Sequence, residues 1–585
     1  MNINHHHTKH LIMKLKTSLF FLLLLGSIIV RAAKKERPNV ILIMTDDQGY
    51  GDLGCHGNPV LKTPNLDKLY SESVRFTDFH VSSFCTPTRA ALMTGNYPGY
   101  TGAFRTSSGR TMLHHDEKTL GNLFKENGYT TGMVGKWHLG DNAPHRPSDR
   151  GFEDVLWHRC GGIGQLSDYW GNTYFNDTYD RNGTYEKFEG YCTDVWFRES
   201  IKFIEKNKEK PFFLYLAPNA PHGPYRVGDE WSKRFKNSDN EEVRKSHVPA
   251  FFGMIENIDY NMGILEKKLQ ELGLRDNTIL IFMTDNGTAA GQYVFNAGMK
   301  GKKSSIYDGG HRVPFFIRYP KGNIQGGKDI DVLAAHIDVL PTLADLCNLK
   351  QGKEYKPDGI SLKDVLLKEK KTIKREVLFT QFHGGIGAVY LPKPWENSVV
   401  MTKRWRLLKG EELYDMVNDP GQSKNVAAEH PEVVKELREK YLPYWEHISP
   451  RMTPVSINVG TSAEKETELT SQDWYFPYGT GNPPWMASQA IGRVKKTGPW
   501  NLDVKKAGKY LITLRERPKQ ASVEIPATKA SIKIAGMEKE KPFPKGNKEI
   551  SFEIDLPKGE TQLITNFYNE KGETWGAYFT EVKAL

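Results

Sequence analysis

Asp46 and Asp47 are adjacent acids closing the apolar run "NVILIM" (39–44), and Asp285 with Asn286 repeat the arrangement after "TILIFMT" (278–284). Burying like charges without a counter-ion is expensive, so something positive must sit between these two pairs. Four hard oxygen ligands suit Ca²⁺ or Mg²⁺, and the set lacks the softer donors that zinc prefers. Either pair alone would be an ordinary turn or helix N-cap. Two pairs at equivalent strand ends point instead to one shared cation.

The second chemical feature is "SSFCTPTRAALMTGNYP" (82–98). Thr86 is a candidate N-cap, Pro87 suits a first helical turn, the body is apolar and Gly95 is a stop. That pattern presents Cys85 at a helix N-terminus, where unpaired N–H groups favour an anion, with Arg89 one turn along on the same side. The alternative is a small buried thiol in a core helix.

The elements that must position these residues are those of an α/β fold. Short apolar runs alternate with amphipathic helical patterns from residue 39 to about 347, as expected for a large, mainly parallel sheet flanked by helices. The clearest buried strands are 39–44, 130–135, 211–217 and 278–284, and helices are expected over 63–74, 120–128 and 260–273. The four strands run directly into "TDDQGYGD", "KWHLGD", "PNAPHGPY" and "DNGT", so the polar clusters sit past strand carboxyl ends, where open α/β sheets bind ligands. This part is assigned to residues 36–374. Residues 375–453 predict a small antiparallel sheet with a terminal helix. Residues 454–585 carry period-two runs such as "KYLITLRE" and "EISFEIDL" between Gly, Pro and Lys-Gly turns, the signature of a β-sandwich. It reads as a scaffold covering one face of the core rather than as a carbohydrate-binding module.

Residues 1–33 combine Lys14 and Lys16, the apolar "LFFLLLLGSIIV", and Arg31-Ala32-Ala33, which predicts a cleaved secretory signal and no membrane span afterwards. The protein is therefore expected in the periplasm or outside the cell. At 585 residues, 38% hydrophobic and 26% charged, the chain is long enough for two or three domains. Its net charge of +10 is spread along the sequence without a nucleic-acid-binding module, so nucleic acid is not the expected partner; a polyanion outside the cell is. Five cysteines (Cys55, Cys85, Cys160, Cys192 and Cys347) are an odd set in an oxidising compartment, so at least one is modified or left out of disulfides.

"CTPTRAALMTG" closely resembles the C-x-P-x-R signature of the type I sulfatases, a family of the alkaline-phosphatase-like superfamily. "NVILIMTDDQGYGDLGCHG", "GYTTGMVGKWHLG", "APNAPHGPY", "MTDNG", "KKSSIYDGGHRVP" and "ELYDMVNDP" follow the family's motif blocks in order over residues 37–428. The resemblance implies that Cys85 is oxidised to formylglycine by a formylglycine-generating maturation enzyme. Asp46, Asp47, Asp285, Asn286 and the oxidised Cys85 would hold one Ca²⁺. Arg89 would steady the formylglycine diol, and Lys136, His138, His222 and Lys303 would surround the sulfate. Lys303 is preferred over Lys302 and Lys300 because it lies four residues before Tyr307, the usual family spacing.

The implied reaction is sulfate-ester hydrolysis. One hydroxyl of the hydrated aldehyde attacks sulfur and the other later expels sulfate by re-forming the aldehyde. His222 or His138 would protonate the departing oxygen, with His222 favoured. Secretion, basicity, the added β region and a resemblance to the sulfatases that bacteria export for use on sulfated glycans imply a sulfated oligo- or polysaccharide as the substrate class. His158, Lys393 and the stretches "GCHG", "LWHRCGGIG" and "HGGIGAVYLPKPWENS" are candidates for its sugar subsites. The competing readings are a phosphonate or phosphodiester hydrolase of the same superfamily and a non-catalytic sulfated-glycan binding protein. A second acidic metal cluster with His ligands would favour the former, and the sequence offers one cluster only.

Overall fold

Strand β1 (Asn39–Thr45) is buried at all seven positions, which an all-apolar strand achieves only between two helical layers. Its alternate residues divide between those layers. Ile41 and Ile43 pack with α1 (Pro64–Glu72), α4 (Cys192–Asn207) and α5 (Val248–Glu271). Val40, Leu42 and Met44 pack with α2 (Cys85–Thr94), α3 (Leu120–Glu126) and α6 (Val339–Leu346). This computed structural model describes residues 37–106, 112–383, 393–476 and 482–585. The signal segment assigned to residues 1–33 lies outside the described residues.

The remaining strands of the sheet are β2 (Val74–Phe76), β3 (Thr130–Lys136), β4 (Asp154–His158), β5 (Thr178–Arg181), β6 (Thr184–Lys187), β7 (Phe212–Ala217), β8 (Thr278–Thr284), β9 (Phe315–Arg318) and β10 (Lys328–Ile330). The order is β10-β2-β9-β8-β1-β7-β3-β4-β5-β6. The central run β8-β1-β7-β3-β4 is parallel, and antiparallel pairings flank it on both sides. In the β1–β8 register Thr45 faces Thr284, so Asp46 and Asp285 leave the sheet side by side.

Two boundaries differ from the sequence expectation. Helix α5 begins at Val248, twelve residues before Tyr260, because Pro249 opens its first turn and the intervening "FFGMIENID" buries Met254 and Ile258 in the sheet layer and Phe251, Phe252 and Ile255 in a separate cluster with Phe235 and Val243. Helix α2 begins at Cys85 itself: its N-cap is Phe84 in extended conformation, not Thr86, whose buried hydroxyl makes no hydrogen bond among the described residues. Burial of all ten residues, rather than a capping hydroxyl, fixes this helix.

After the main sheet come four antiparallel strands, β11 (Leu378–Gln381), β12 (Ser398–Met401), β13 (Trp405–Leu408) and β14 (Glu412–Asp415), with α7 (Pro431–Ile448) sharing their core. The run "SVVMTKRWRLLKG" divides into two strands where Thr402 N donates to Trp405 O. Tyr97 and Ile337 of the α/β part join the same core. Residues 457–584 then form a six-stranded and a four-stranded sheet. Val459, Leu502 and Ile532 of one meet Ile512, Phe552 and Val582 of the other in a single apolar core, as a β-sandwich requires.

Candidate active site

The carboxyl ends of β1, β8 and β3 converge on a cluster of buried charges. Asp46, Asp285, Asn286, Arg89 and Lys136 are fully buried and Asp47 is 3% exposed. Lys136 Nζ donates to Asp46 Oδ2 at 2.6 Å, and Arg89 Nη2 to Asp285 Oδ2 at 2.9 Å while lying 3.8 Å from Asp46 Oδ1. Arg89 Nη1 donates to Lys136 O (3.0 Å) and Tyr215 Oη (3.3 Å), so four strands and α2 are tied through one guanidinium. Asp47, with φ of 70°, receives Asn286 Nδ2 at 3.0 Å on Oδ1, and its own N–H donates to Asp285 Oδ1 at 3.0 Å. Lys303 Nζ reaches Asp47 Oδ1 at 2.5 Å, and His222 Nε2 lies 3.9 Å from Oδ2.

Cys85, 2% exposed, opens α2 at the floor of a cleft of about 430 Å³. His138 Nδ1 lies 3.3 Å from its sulfur. His138 adopts φ of 62°, an uncommon backbone conformation that turns the "KWHLGD" loop toward the cysteine. Asp47, Lys303 and His222 line the same cleft. Lys136 and Arg89 are not among its lining residues; both are sealed against the acids beneath it.

Burial alone would raise the Asp47 carboxyl, but Lys303, His222 and Lys136 outweigh it and hold Asp47 well below the usual carboxylate range. Asp285 goes the other way: burial and the neighbouring Asp46 raise it against the pull of Arg89 and Lys136. With Lys303 on Asp47, Lys136 on Asp46 and Arg89 on Asp285, three acids meet three cations. Burial pulls His222 down to about 3, opposed by Asp47 and reinforced by Lys303 and Lys136. Its Nδ1 faces Gly223 O at 2.6 Å, so Nδ1 carries a proton, and the neutral ring presents an accepting Nε2 to the cleft.

A divalent cation fits this set. Among the described residues Asp46 Oδ1 and Asn286 Oδ1 are buried oxygens that accept no hydrogen bond, and Asp46, Cys85 and Asp285 offer donor atoms within 4.8 Å of one another. Apart from the Cys85 sulfur, the donors are carboxylate and amide oxygens, the chemistry of hard cations. A second group, His80, Asp308 and His311, also brings donors together, but it does not line the cleft. Arg406 already supplies a cation there, donating to Asp308 Oδ1 at 3.1 Å and Asp78 Oδ1 at 3.0 Å, although Asp308 Oδ2 accepts no hydrogen bond among the described residues.

Residues 38–349 match the Sulfatase family, and residues 300–445 match the family described as N-sulphoglucosamine sulphohydrolase, C-terminal. The chain belongs to the sulfatase family. Arylsulfatase from Hemicentrotus pulcherrimus is 32% identical over 367 residues, 57% of this sulfatase and 62% of that protein. Human arylsulfatase A is 30% identical over 456 residues, covering 69% of this chain and 87% of its own. The solved structure of Ps i-CgsB in complex with k-i-k-neocarrahexaose superposes with a TM-score of 0.64 at 30% identity, over 72% of this chain and 94% of that one.

The sulfatase fold brings Cys85, Arg89, Lys136, His138, His222, Lys303, Asp46, Asp47, Asp285 and Asn286 to one end of the sheet. Of the three lysines before Tyr307, only Lys303 enters the cleft. Lys302 is exposed, and Lys300 Nζ sits 4.0 Å over the Tyr307 ring. His158 is buried behind the site, paired in register with Lys136 and held near 3 by burial, and does not line the cleft. Lys393 is exposed and also absent from it, as is "GCHG", whose His56 stacks on Tyr50. Residues 384–392 of "HGGIGAVYLPKPWENS" lie outside the described residues. The "CGGIG" loop does line the cleft, through Gly161, and Gln165 directly after it does so too. Sequence reasoning missed Thr106, Ala289, Trp485 and Met486, which line it without belonging to any chemical motif, and gave no role to Tyr225 at the end of "APNAPHGPY". The structure joins no two of the five cysteines in a disulfide.

Proposed function

We propose that this sulfatase removes sulfate from a sulfated saccharide, with Cys85 oxidised to formylglycine and one Ca²⁺ held by Asp46, Asp47, Asp285, Asn286 and the modified residue 85. The observation that carries the reading is the position of Cys85. It opens a fully buried helix at the floor of a cleft, between His138 and a cluster of acids with unsatisfied oxygens. A bound cation supplies charge for the sulfuryl oxygens and lowers the pKa of a hydroxyl beside it. The hydrated aldehyde at residue 85 provides two hydroxyls. One attacks sulfur and releases the sugar oxygen; the other gives up its proton and re-forms the aldehyde, expelling sulfate.

Lys303 is placed to meet the sulfuryl oxygens, with Lys136 and Arg89 adding positive potential from beneath. His138, in contact with residue 85, would manage the diol proton. His222 would protonate the leaving oxygen, and an anionic sulfate in the cleft favours the doubly protonated ring needed for that step. The hexaose in Ps i-CgsB supports a saccharide substrate. Export to the periplasm or beyond follows from the reading of residues 1–33 and requires a formylglycine-generating partner in the producing cell. Among the described residues no helix is long and apolar enough to cross a membrane.

Turnover of an aryl sulfate and the matching aryl phosphate tests the reaction class. Sulfate should be hydrolysed faster, and the reverse preference would assign the phosphonate or phosphodiester alternative. Intact-protein mass spectrometry of active material should show the Cys85 CH₂SH replaced by CHO. Cys85→Ala should release no sulfate, and a variant that still did would remove residue 85 from the nucleophile's role.

A further inference from the structure

One wall of the cleft comes from outside the α/β part. Trp485 and Met486 line it together with Cys85, His138, His222 and Lys303. Both belong to the C-terminal β region, beyond residue 445, where the matched family segments end. Their backbone is fixed against the "CGGIG" loop. Leu166 N donates to Trp485 O at 2.9 Å, Ala487 N to Gly164 O at 3.3 Å, and Gln165 and Met486 form an antiparallel bridge.

Side chains lock the same joint. Gln489 Oε1 accepts from the N–H groups of Trp485 (2.8 Å) and Met486 (3.0 Å). Gln472, 2% exposed, donates to Gln165 Oε1 at 3.0 Å, and that oxygen also accepts from Gly161 N at 3.2 Å. Gly161 packs so closely on His138 that a Cβ there would stand 2.6 Å from the ring. The Trp485 segment is thus built on the loop that touches the histidine beside Cys85.

We infer that Trp485 is a specificity-determining residue, the wall against which the pyranose ring bearing the sulfate packs. The inference rests on the sulfatase reading above. The cleft of about 430 Å³ exceeds what a sulfuryl group fills and suits the ester with its sugar ring. The apolar C–H face of a pyranose needs a broad, rigid apolar partner; an indole supplies one at low entropic cost, while its rim stays open to sugar hydroxyls. Met486 beside it fills the irregular remainder. The C-terminal β region is accordingly part of the substrate site and not only a scaffold.

The test compares kcat and KM on a sulfated oligosaccharide panel and on a small aryl sulfate, for the wild type and for Trp485→Ala, Trp485→Leu and Trp485→Phe. Trp485→Ala should lose about tenfold more kcat/KM on the best oligosaccharide than on the aryl sulfate, mainly through KM. Trp485→Leu, which keeps bulk without an aromatic face, should share that selective loss, and Trp485→Phe should recover most of it. Equal losses on both substrates, or Leu and Phe variants that behave alike, would overturn the role assigned to Trp485. A wild-type enzyme inactive on every sulfate ester would instead overturn the sulfatase reading beneath it, so the two failures are told apart.

Discussion

At the residue scale the site is a problem of buried charge. Asp46 and Asp285 leave water entirely, and the protein answers with Lys136 and Arg89 directly on their oxygens. Removing one partner of such a pair leaves the other charge uncompensated, which is costlier than never having buried either. Asp285→Ala is therefore expected to destabilise the protein by about 3–5 kcal/mol in urea unfolding, because Arg89 loses its nearest carboxylate. The same variant should carry less metal per chain than the wild type by elemental analysis. Type and spacing alone revealed the four metal-ligand candidates, Cys85 and Arg89, since consecutive acids at strand ends and a cysteine before Pro and Arg are local signals. Trp485 carried no such signal. It lies in the aromatic-, Pro- and Gly-rich run "WYFPYGTGNPPWM" (474–486), which carries no chemical motif, and only its packing against Gly164–Leu166 gives it a place in the cleft.

At the element scale, α2 is held by termination as much as by burial. Gly95 closes it with φ of 75°, and a Cβ there would lie 2.7 Å from Pro357 Cβ. Gly95→Ala should cost at least about 1–3 kcal/mol, from left-handed strain plus overpacking, read as a lower urea midpoint at unchanged slope. Helix α7 is pinned to the α/β part by His447, whose Nε2 donates to Asp358 at 2.9 Å while its ring stacks on Tyr100. The Asp358 hydrogen bond raises His447 above its ordinary pKa despite partial burial. A raised folded value gives stability that is complete below the unfolded pKa and lost as pH rises through the folded one. His447→Gln should accordingly lower Tm more at about pH 5.5 than at about pH 8.5, and a gap of equal size at both would show that the ion pair contributes nothing. The strands of the parallel sheet were legible because continuous apolar runs have no other buried home. The start of α5 was not, since its first turns bury apolar residues in two different clusters and so present no single apolar stripe.

At the scale of the whole molecule, net positive charge acts at a distance: the sequence carries +10, and loss of residues 1–33, with four basic residues and no acid, would leave +6. A basic surface attracts a polymer of sulfate esters more strongly than a singly charged ester, and salt screens the difference. Between about 0.05 and 0.5 M salt, kcat/KM on a sulfated polysaccharide should fall more steeply than on an aryl sulfate; parallel slopes would confine recognition to the cleft. The sequence by itself determined the α/β class, the β-rich C-terminal region, the acid pairs and the cysteine signature, because each is written in local periodicity or in neighbouring residues. Tertiary structure alone decided that Lys136 lies sealed on Asp46 instead of lining the cleft. It also decided that the C-terminal region lends the cleft a tryptophan more than three hundred residues from the loop it pairs with. Side-chain period and turn chemistry act over a few residues, whereas which distant segments meet is set by how whole layers bury their apolar faces.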